Sequence, residues 1–533
     1  MKNMSKSIFV PFVVIFLIGC GGGGGSSGYE AHSGGSTVTL ASVCSGGLPC
    51  GNNGNSYMGA GIGVWNYKNS GTSSVNLNVS LSNVANRDIT IVFTNEGDTN
   101  INNFPHIEVY QSLKNEIYAY SQTEDTFNYI PESIRYFDPE EFIRQNKPYP
   151  NQYSQKLLLK TWNKNDKNTW RIHRDISSNT NRIATLRKQM SILGRTINLW
   201  VEDSEFKSGK ITESEINTIS SHIDTIYYNV ITIAGEPWGT HSRSGYISGD
   251  QPLDIVFVNF DNNGQPFGTI GYFWAGNNLN KNINQNSNEA IAVFIDTETL
   301  YGGSILYGLS TIAHELTHAV NFYQRVILIN DEFDTFLDEM TAIMMEDVLA
   351  RKIDAVFNDA KERYMEWLRI PLYKCDFAKW EGCGNAVYSY NVAGSFGAFL
   401  LRQYGIDNFY KTVFKTRSDI SARTKSISIL DKAIKTYDSG GLTKALRNWG
   451  ASIAMLSTSL PLNGFGYPYR NDNGLELEEF DGSVYKQYRS LPLYSPATLS
   501  AHAHFPFLRR PASYTYEEVF VVPKNASVTV IVQ

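Results

Sequence analysis

The sequence predicts an α+β fold: a mixed sheet leading into a buried, histidine-bearing helix, then a mainly helical lobe, with β-rich flanks at both ends. Three observations carry this. Apolar runs of strand length occur at 196–201, 254–259 and 290–295. Apolar residues at helical spacing dominate the chain from 300 to 460. Strand-like alternation or apolar runs occupy 36–40, 73–81 and 88–93 near one end, and 518–522 and 527–532 at the other.

Taken in order, Lys2 and Lys6 precede an apolar run at 8–18 that ends in Leu17-Ile-Gly-Cys20. Residues 1–20 read as a signal peptide, too short for a stable membrane span. The Leu-x-Gly-Cys ending resembles a bacterial lipobox, which implies cleavage before Cys20 and a lipid anchor on it. An ordinary secretory signal is the plainer alternative. Residues 21–36 are a Gly/Ser tether. With Gly21 after the cysteine, the expected place is the bacterial cell envelope, at the outer membrane or cell surface, with release outside the cell as a further option. Besides Cys20, the cysteines form two short-range pairs, Cys44/Cys50 and Cys375/Cys383. Neither has C-x-x-C spacing, so local disulfides in an oxidising compartment are the simplest reading.

At 533 residues the chain is long enough for two or more domains, and 42% hydrophobic and 13% aromatic residues allow sizeable cores. A net charge of −6 without a long basic run gives nucleic-acid binding no electrostatic support.

Residues 37–112 predict a small β domain, structural or adhesive. Residues 113–190 are rich in Asn, Tyr and charge; they predict a connecting region or removable propeptide, with short helical stretches such as 156–160. Residues 191–355 follow as an upper lobe. There 212–233 predicts a helix, with Ile216, Ile219, Ile223, Ile226 and Val230 in period. Residues 356–460 predict a helical lower lobe: 357–369, a helix at about 394–405 preceded by Tyr388-Ser-Tyr390, then 426–437 and 443–456. Residues 461–533 predict a β appendage.

The chemistry concentrates in Thr311-Ile-Ala-His-Glu-Leu-Thr-His-Ala-Val320. On a helix, His314 and His318 lie about 40° apart around the axis and roughly 6 Å along it. Both can then reach one Zn²⁺, with Glu315 beside them to address a water. Leu309, Ile312, Ala313, Leu316, Ala319, Val320 and Tyr323 form an apolar stripe that leaves both histidines off it. Gly302-Gly303-Ser304 offers a loop and an N-cap. The structural alternative is a chance motif on a core helix. A catalytic zinc needs a third protein ligand. The glycine and third histidine of the extended metzincin pattern are absent, because Asn321 and Gln324 stand there. Instead Phe336-Leu-Asp-Glu-Met-Thr-Ala342 opens a second helical pattern, placing Glu339 21 residues after His318. Glu346 follows on the same face, either solvated or supporting a histidine. His241, His502 and His504 read as surface or supporting residues rather than ligands.

These two segments, with Ile197-Asn-Leu-Trp-Val-Glu-Asp203, Gly271-Tyr-Phe273, Ala292-Val-Phe-Ile-Asp296, Tyr390-Asn-Val-Ala-Gly-Ser-Phe396, Leu400-Leu-Arg-Gln-Tyr-Gly405 and the Asn-Trp-Gly within 445–451, resemble the hyicolysin-type neutral zinc metallopeptidases, within the gluzincins. The resemblance covers about 195–460. It implies a zincin-type two-lobe fold and one Zn²⁺ on His314, His318 and Glu339. It implies Glu315 as general base, and an edge strand that pairs with the backbone of a polypeptide substrate. It also implies an oxyanion-donating tyrosine, Tyr390, or Tyr388 as the fallback. The plain alternative is two tyrosines packed near a helix start. Asp338 departs from the pattern, which has Asn before the third ligand. The expected function is a surface-anchored zinc endopeptidase. The competing readings are a binding or adhesion lipoprotein on an inactive zincin scaffold, and a zinc hydrolase of non-peptide amides. The sequence shows no EF-hand-like loop.

Overall fold

The computed structural model describes residues 37–109, 159–173, 179–419 and 424–533. The expectations for 1–36 and for most of the connecting region lie outside these residues. The main elements are β1 (Gly63–Lys68), β2 (Val75–Ser82), β3 (Ile89–Asn95), β4 (Lys167–His173), β5 (Asn179–Ile192), β6 (Arg195–Glu202), α1 (Glu213–Ile233), β7 (Leu253–Val258), β8 (Gly271–Phe273) and β9 (Ile291–Asp296). They continue with α2 (Ile305–Asn321), α3 (Thr335–Ile353), α4 (Asp359–Arg369), α5 (Ala386–Tyr404), α6 (Asp407–Lys415), α7 (Lys425–Lys435) and α8 (Gly441–Ala451), then β10 (His504–Arg509), β11 (Thr515–Val522) and β12 (Ala526–Val532).

A six-stranded mixed sheet runs β8-β9-β7-β6-β5-β4. Strands β6, β7 and β9 are parallel, and β8 closes one edge antiparallel to β9. The central strands read as unbroken apolar runs because both faces are covered. Ile255, Phe257, Val293 and Ile295 pack with α1 and α2, whereas Val256, Val258, Ala292 and Phe294 pack with Trp170, Trp200 and Tyr272. A capping box starts α1: Thr212 and Glu215 satisfy each other's backbone N–H groups. Its stripe Ile216, Ile219, Ile223, Ile226 and Val230 is buried.

The connecting region departs from expectation. Residues 167–173 and 179–192 are strand, extending the sheet as an antiparallel pair, and Lys160 is coil rather than helix. Their polar composition misled because this pair lies at the sheet's far edge and keeps much of its surface in water.

Ser304 caps α2 by accepting from Leu306 N. The link to α3 is clamped by the buried Arg325, which donates to Asp331 Oδ2 at 2.8 Å and to the carbonyls of Phe414 and Thr416, both at 2.7 Å. The helix expected from about 394 begins at Ala386, after Asn385 as N-cap, so Tyr390 sits on α5 rather than ahead of it. Its glycines serve close packing. A Cβ on Gly397 would meet Met344 Cγ at 2.6 Å, so α5 lies tightly on α3.

The two β flanks, expected as separate units, interleave. β12 pairs with β1 on one side and β3 on the other, β10 pairs with β3, and β11 pairs with β2. One core joins Trp65, Leu77, Ile91 and Phe93 to Phe507, Phe520, Val528 and Val530. The sandwich is fastened to the helical lobe by the buried Glu96, which pairs with Lys68 at 2.9 Å and with Arg447 at 2.7 Å. His502 adds a link, lying 3.1 Å from Asp98 and 3.3 Å from Asp376. His502 and His504 are buried, not superficial. Both cysteine pairs form the expected disulfides. Among the described residues no helix is long and apolar enough to cross a membrane.

This interleaving has a direct consequence. Each core Val or Phe uncovered costs about 1.5–3 kcal/mol, so β10–β12 do not stand without β1–β3. A chain cut once between residues 109 and 159 should elute as one particle in native size-exclusion chromatography. Release of the 37–109 piece without denaturant would show the flank to be a separable propeptide.

Candidate metal centre

Helix α2 presents His314 and His318 on successive turns, and α3 returns across it with Glu339 in its second turn. Nε2 of His314 lies 3.1 Å from Nε2 of His318 and 3.2 Å from Glu339 Oε2, and His318 Nε2 lies 3.5 Å from the same oxygen. A tetrahedral zinc with bonds of about 2.0–2.1 Å puts its ligand atoms roughly 3.3–3.4 Å apart. The triangle therefore has the edge lengths such an ion requires. Among the described residues this is the one group of three or more such side chains so placed.

Each of the two histidines is held by a further residue. His314 Nδ1 donates to Glu346 Oε1 at 2.5 Å, which turns the Nε2 lone pair toward Glu339. Glu346 is buried rather than solvated, and Arg363 of α4 donates to its other oxygen at 3.0 Å. Gly394 leaves room for that arginine, since a Cβ there would meet Arg363 Cδ at 2.3 Å. Asp338 Oδ2 lies 2.9 Å from His318 Nδ1, and Asn321 donates to Asp338 Oδ1 at 2.5 Å. The acid standing where Asn is the family pattern is thus His318's ion-pair partner.

The electrostatics call for a cation. Burial works against charge on His314, but Glu346 and Glu339 outweigh it and hold the imidazole at a pKa of about 9. Burial opposes charge on His318 too, and Asp338 and Glu339 drive its pKa well up. Glu339 also resists burial, and the two histidines bring it to about 2. The surrounding carboxylates make the imidazoles grip protons that a divalent ion would displace on binding. The donor set of two nitrogens and one oxygen suits zinc.

Glu315 stands beside this triangle, buried, and burial raises its pKa. The N–H of Phe273, on edge strand β8, donates to Glu315 Oε2 at 2.8 Å. That close approach depends on Gly271, where a Cβ would meet Thr311 Cγ2 at 2.5 Å. Tyr390 is buried on α5, its ring centroid 6.5 Å from that of His314. Tyr388, two residues nearer the helix start, is half-buried. His241 bonds the Ile247 carbonyl, and His504 lies 3.0 Å from Thr94 Oγ1; neither joins the centre. Arg363 carried no sequence signal because it lies outside the motif segments, and the Phe273 N–H carried none although Phe273 lies in one, because a backbone donor is not encoded by residue type.

Fold and site together define a class, a zincin-like α+β metallopeptidase. The profile of the peptidase M30 family matches residues 178–533, well over half the chain, and the protein belongs to that family, the hyicolysin family. The match reaches further than the expected 195–460 and takes in the C-terminal strands. A second profile, a domain of unknown function (DUF8571), matches residues 42–109. No curated protein matches the chain. Among solved structures, an aminopeptidase N family protein from Idiomarina loihiensis is similar at 13% identity and a TM-score of 0.25, over 42% of this chain. The match spans 38% of that protein's length, too slight a likeness to bear on fold.

Replacing Glu346 by Gln removes the charge that orients His314 and should weaken metal binding about 10–100-fold. Competition with a chromophoric chelator measures this; unchanged affinity would remove Glu346 from the centre.

Proposed function

We propose that the protein is a gluzincin-type zinc endopeptidase, anchored through a lipid on Cys20 to the bacterial cell envelope with its catalytic part at the surface. The observation that carries the reading is the triangle of His314, His318 and Glu339, at tetrahedral-ligand spacing, with a buried Glu315 aimed beside it by β8. Zinc bound there supplies Lewis acidity and brings a water's pKa down toward about 7.

The chain's own groups do the rest. Glu315 takes the proton of the attacking water and delivers it to the leaving amine. Burial favours its uncharged form, which makes it a stronger base than an exposed glutamate. The Tyr390 hydroxyl donates to the oxyanion that develops on the scissile carbonyl. The open side of β8 pairs with the substrate backbone, so that binding reads few side chains and polypeptides in general are accepted.

With casein as substrate, Glu315→Gln should keep its metal while hydrolysis falls by about 10²–10⁴-fold. A chelator should abolish wild-type cleavage. In cells making the full chain the activity should sediment with the envelope, and a chain starting at Gly21 should leave it soluble. Near-normal turnover by Glu315→Gln would contradict the mechanism, and soluble activity from the full chain would contradict the anchor.

A further inference from the structure

The Cys375–Cys383 loop is built around two aromatic residues that point to different tasks. Phe377 is its root. It is buried, with ring centroids 5.4 Å from Phe336 of α3, 5.3 Å from Phe396 of α5 and 5.2 Å from His502 of the sandwich. Trp380 is its tip. Its ring meets that of Tyr390 edge-on at 4.9 Å, and Tyr390 in turn abuts His314. The loop between them is tightly folded: a Cβ on Gly382 would meet the carbonyl oxygens of Asp376 and Lys379 at 2.4 and 2.6 Å. Glu381 is held at φ +61°, a conformation unfavourable for a non-glycine residue, while its N–H donates to Ser389 Oγ of α5 at 2.9 Å. The disulfide closes the base, with both cysteines buried.

Trp238, Trp367 and Trp449 are fully buried, but Trp380 keeps part of its surface in solvent. A rigid, partly open indole two ring contacts from the metal-binding histidine is a pre-organised apolar platform, and a ligand side chain packing on it meets little ordering cost. We propose that Trp380 forms the wall of the subsite that receives a bulky aromatic or aliphatic side chain of the substrate next to the scissile bond, and that the disulfide loop holds it there. This rests on the endopeptidase reading.

The test uses the chain lacking residues 1–20 and peptides differing only in Phe or Ala at each position flanking the cut bond. Wild type should prefer Phe at one of these positions. In Trp380→Ala the Phe/Ala ratio of kcat/KM there should fall by about tenfold or more, mostly through KM. Trp380→Phe should restore most of it, and Cys375→Ser/Cys383→Ser should lower it too. Zinc content and thermal midpoint separate a lost subsite from a lost fold; should Trp380→Ala not fold, Trp380→Leu replaces it. An unchanged ratio, or a kcat loss equal on both peptides, would overturn the proposal; the latter would mean Trp380 acts only through Tyr390. Absence of chelator-sensitive cleavage by wild type, read before any variant, would overturn the endopeptidase reading itself.

Discussion

The crossing of α2 and α3 buries more charge than a helix pair can hold unless the charges compensate. Glu315, Glu339 and Glu346 are all buried there with His314. An isolated carboxylate in such a place is strongly unfavourable, and removing one member of a buried network typically costs several kcal/mol. The solution is a closed set of contacts: Glu339 against both imidazoles, Glu346 against His314 and Arg363, Asp338 against His318, and Glu315 against a backbone N–H. The set fixes the helix crossing and recruits α4 through Arg363. It also leaves a triangle of donor atoms with a strong preference for positive charge. Structure and prospective chemistry therefore have one cause.

The remaining architecture keeps that crossing in place. The sheet delivers β9 into α2 and lays β8 against it, at a distance only Gly271 permits. Arg325 and Asp331 set the turn that returns Glu339, by tying it to the end of α6. The sandwich is shared between residues before β4 and residues after α8, so the two ends of the fold are closed by one hydrophobic core. Glu96 and His502 then bind that core to the lobe carrying α5 and the disulfide loop. A flank remote from the metal thereby supports the segment beside it.

What the sequence disclosed depends on how local each feature is. His314, Glu315 and His318 lie within one helical turn and a residue, so spacing alone joins them. Glu339 became legible through a second helix at a distance a turn can span. Glu346 shares the face of Glu339, but spacing cannot tell a solvated glutamate from one buried against Arg363. The start of α5 was obscured by Gly394, which resembles a helix breaker but is small because Arg363 presses on it. The pairing of β4 and β5 was hidden by the polarity of an edge. The union of β1–β3 with β10–β12 spans more than four hundred residues of sequence, and no local pattern encodes it. Asp338 departed from the family pattern, and only the structure shows that it pairs with His318.

The most direct test of the account is anomalous diffraction at the zinc edge from crystals of the protein purified with its native metal. The account predicts one strong peak within about 2.0–2.2 Å of Nε2 of His314, Nε2 of His318 and one oxygen of Glu339, with Nδ1 of His314 still bonded to Glu346. A zinc peak on other ligands, or fully ordered side chains here with no peak in an active preparation, would contradict it.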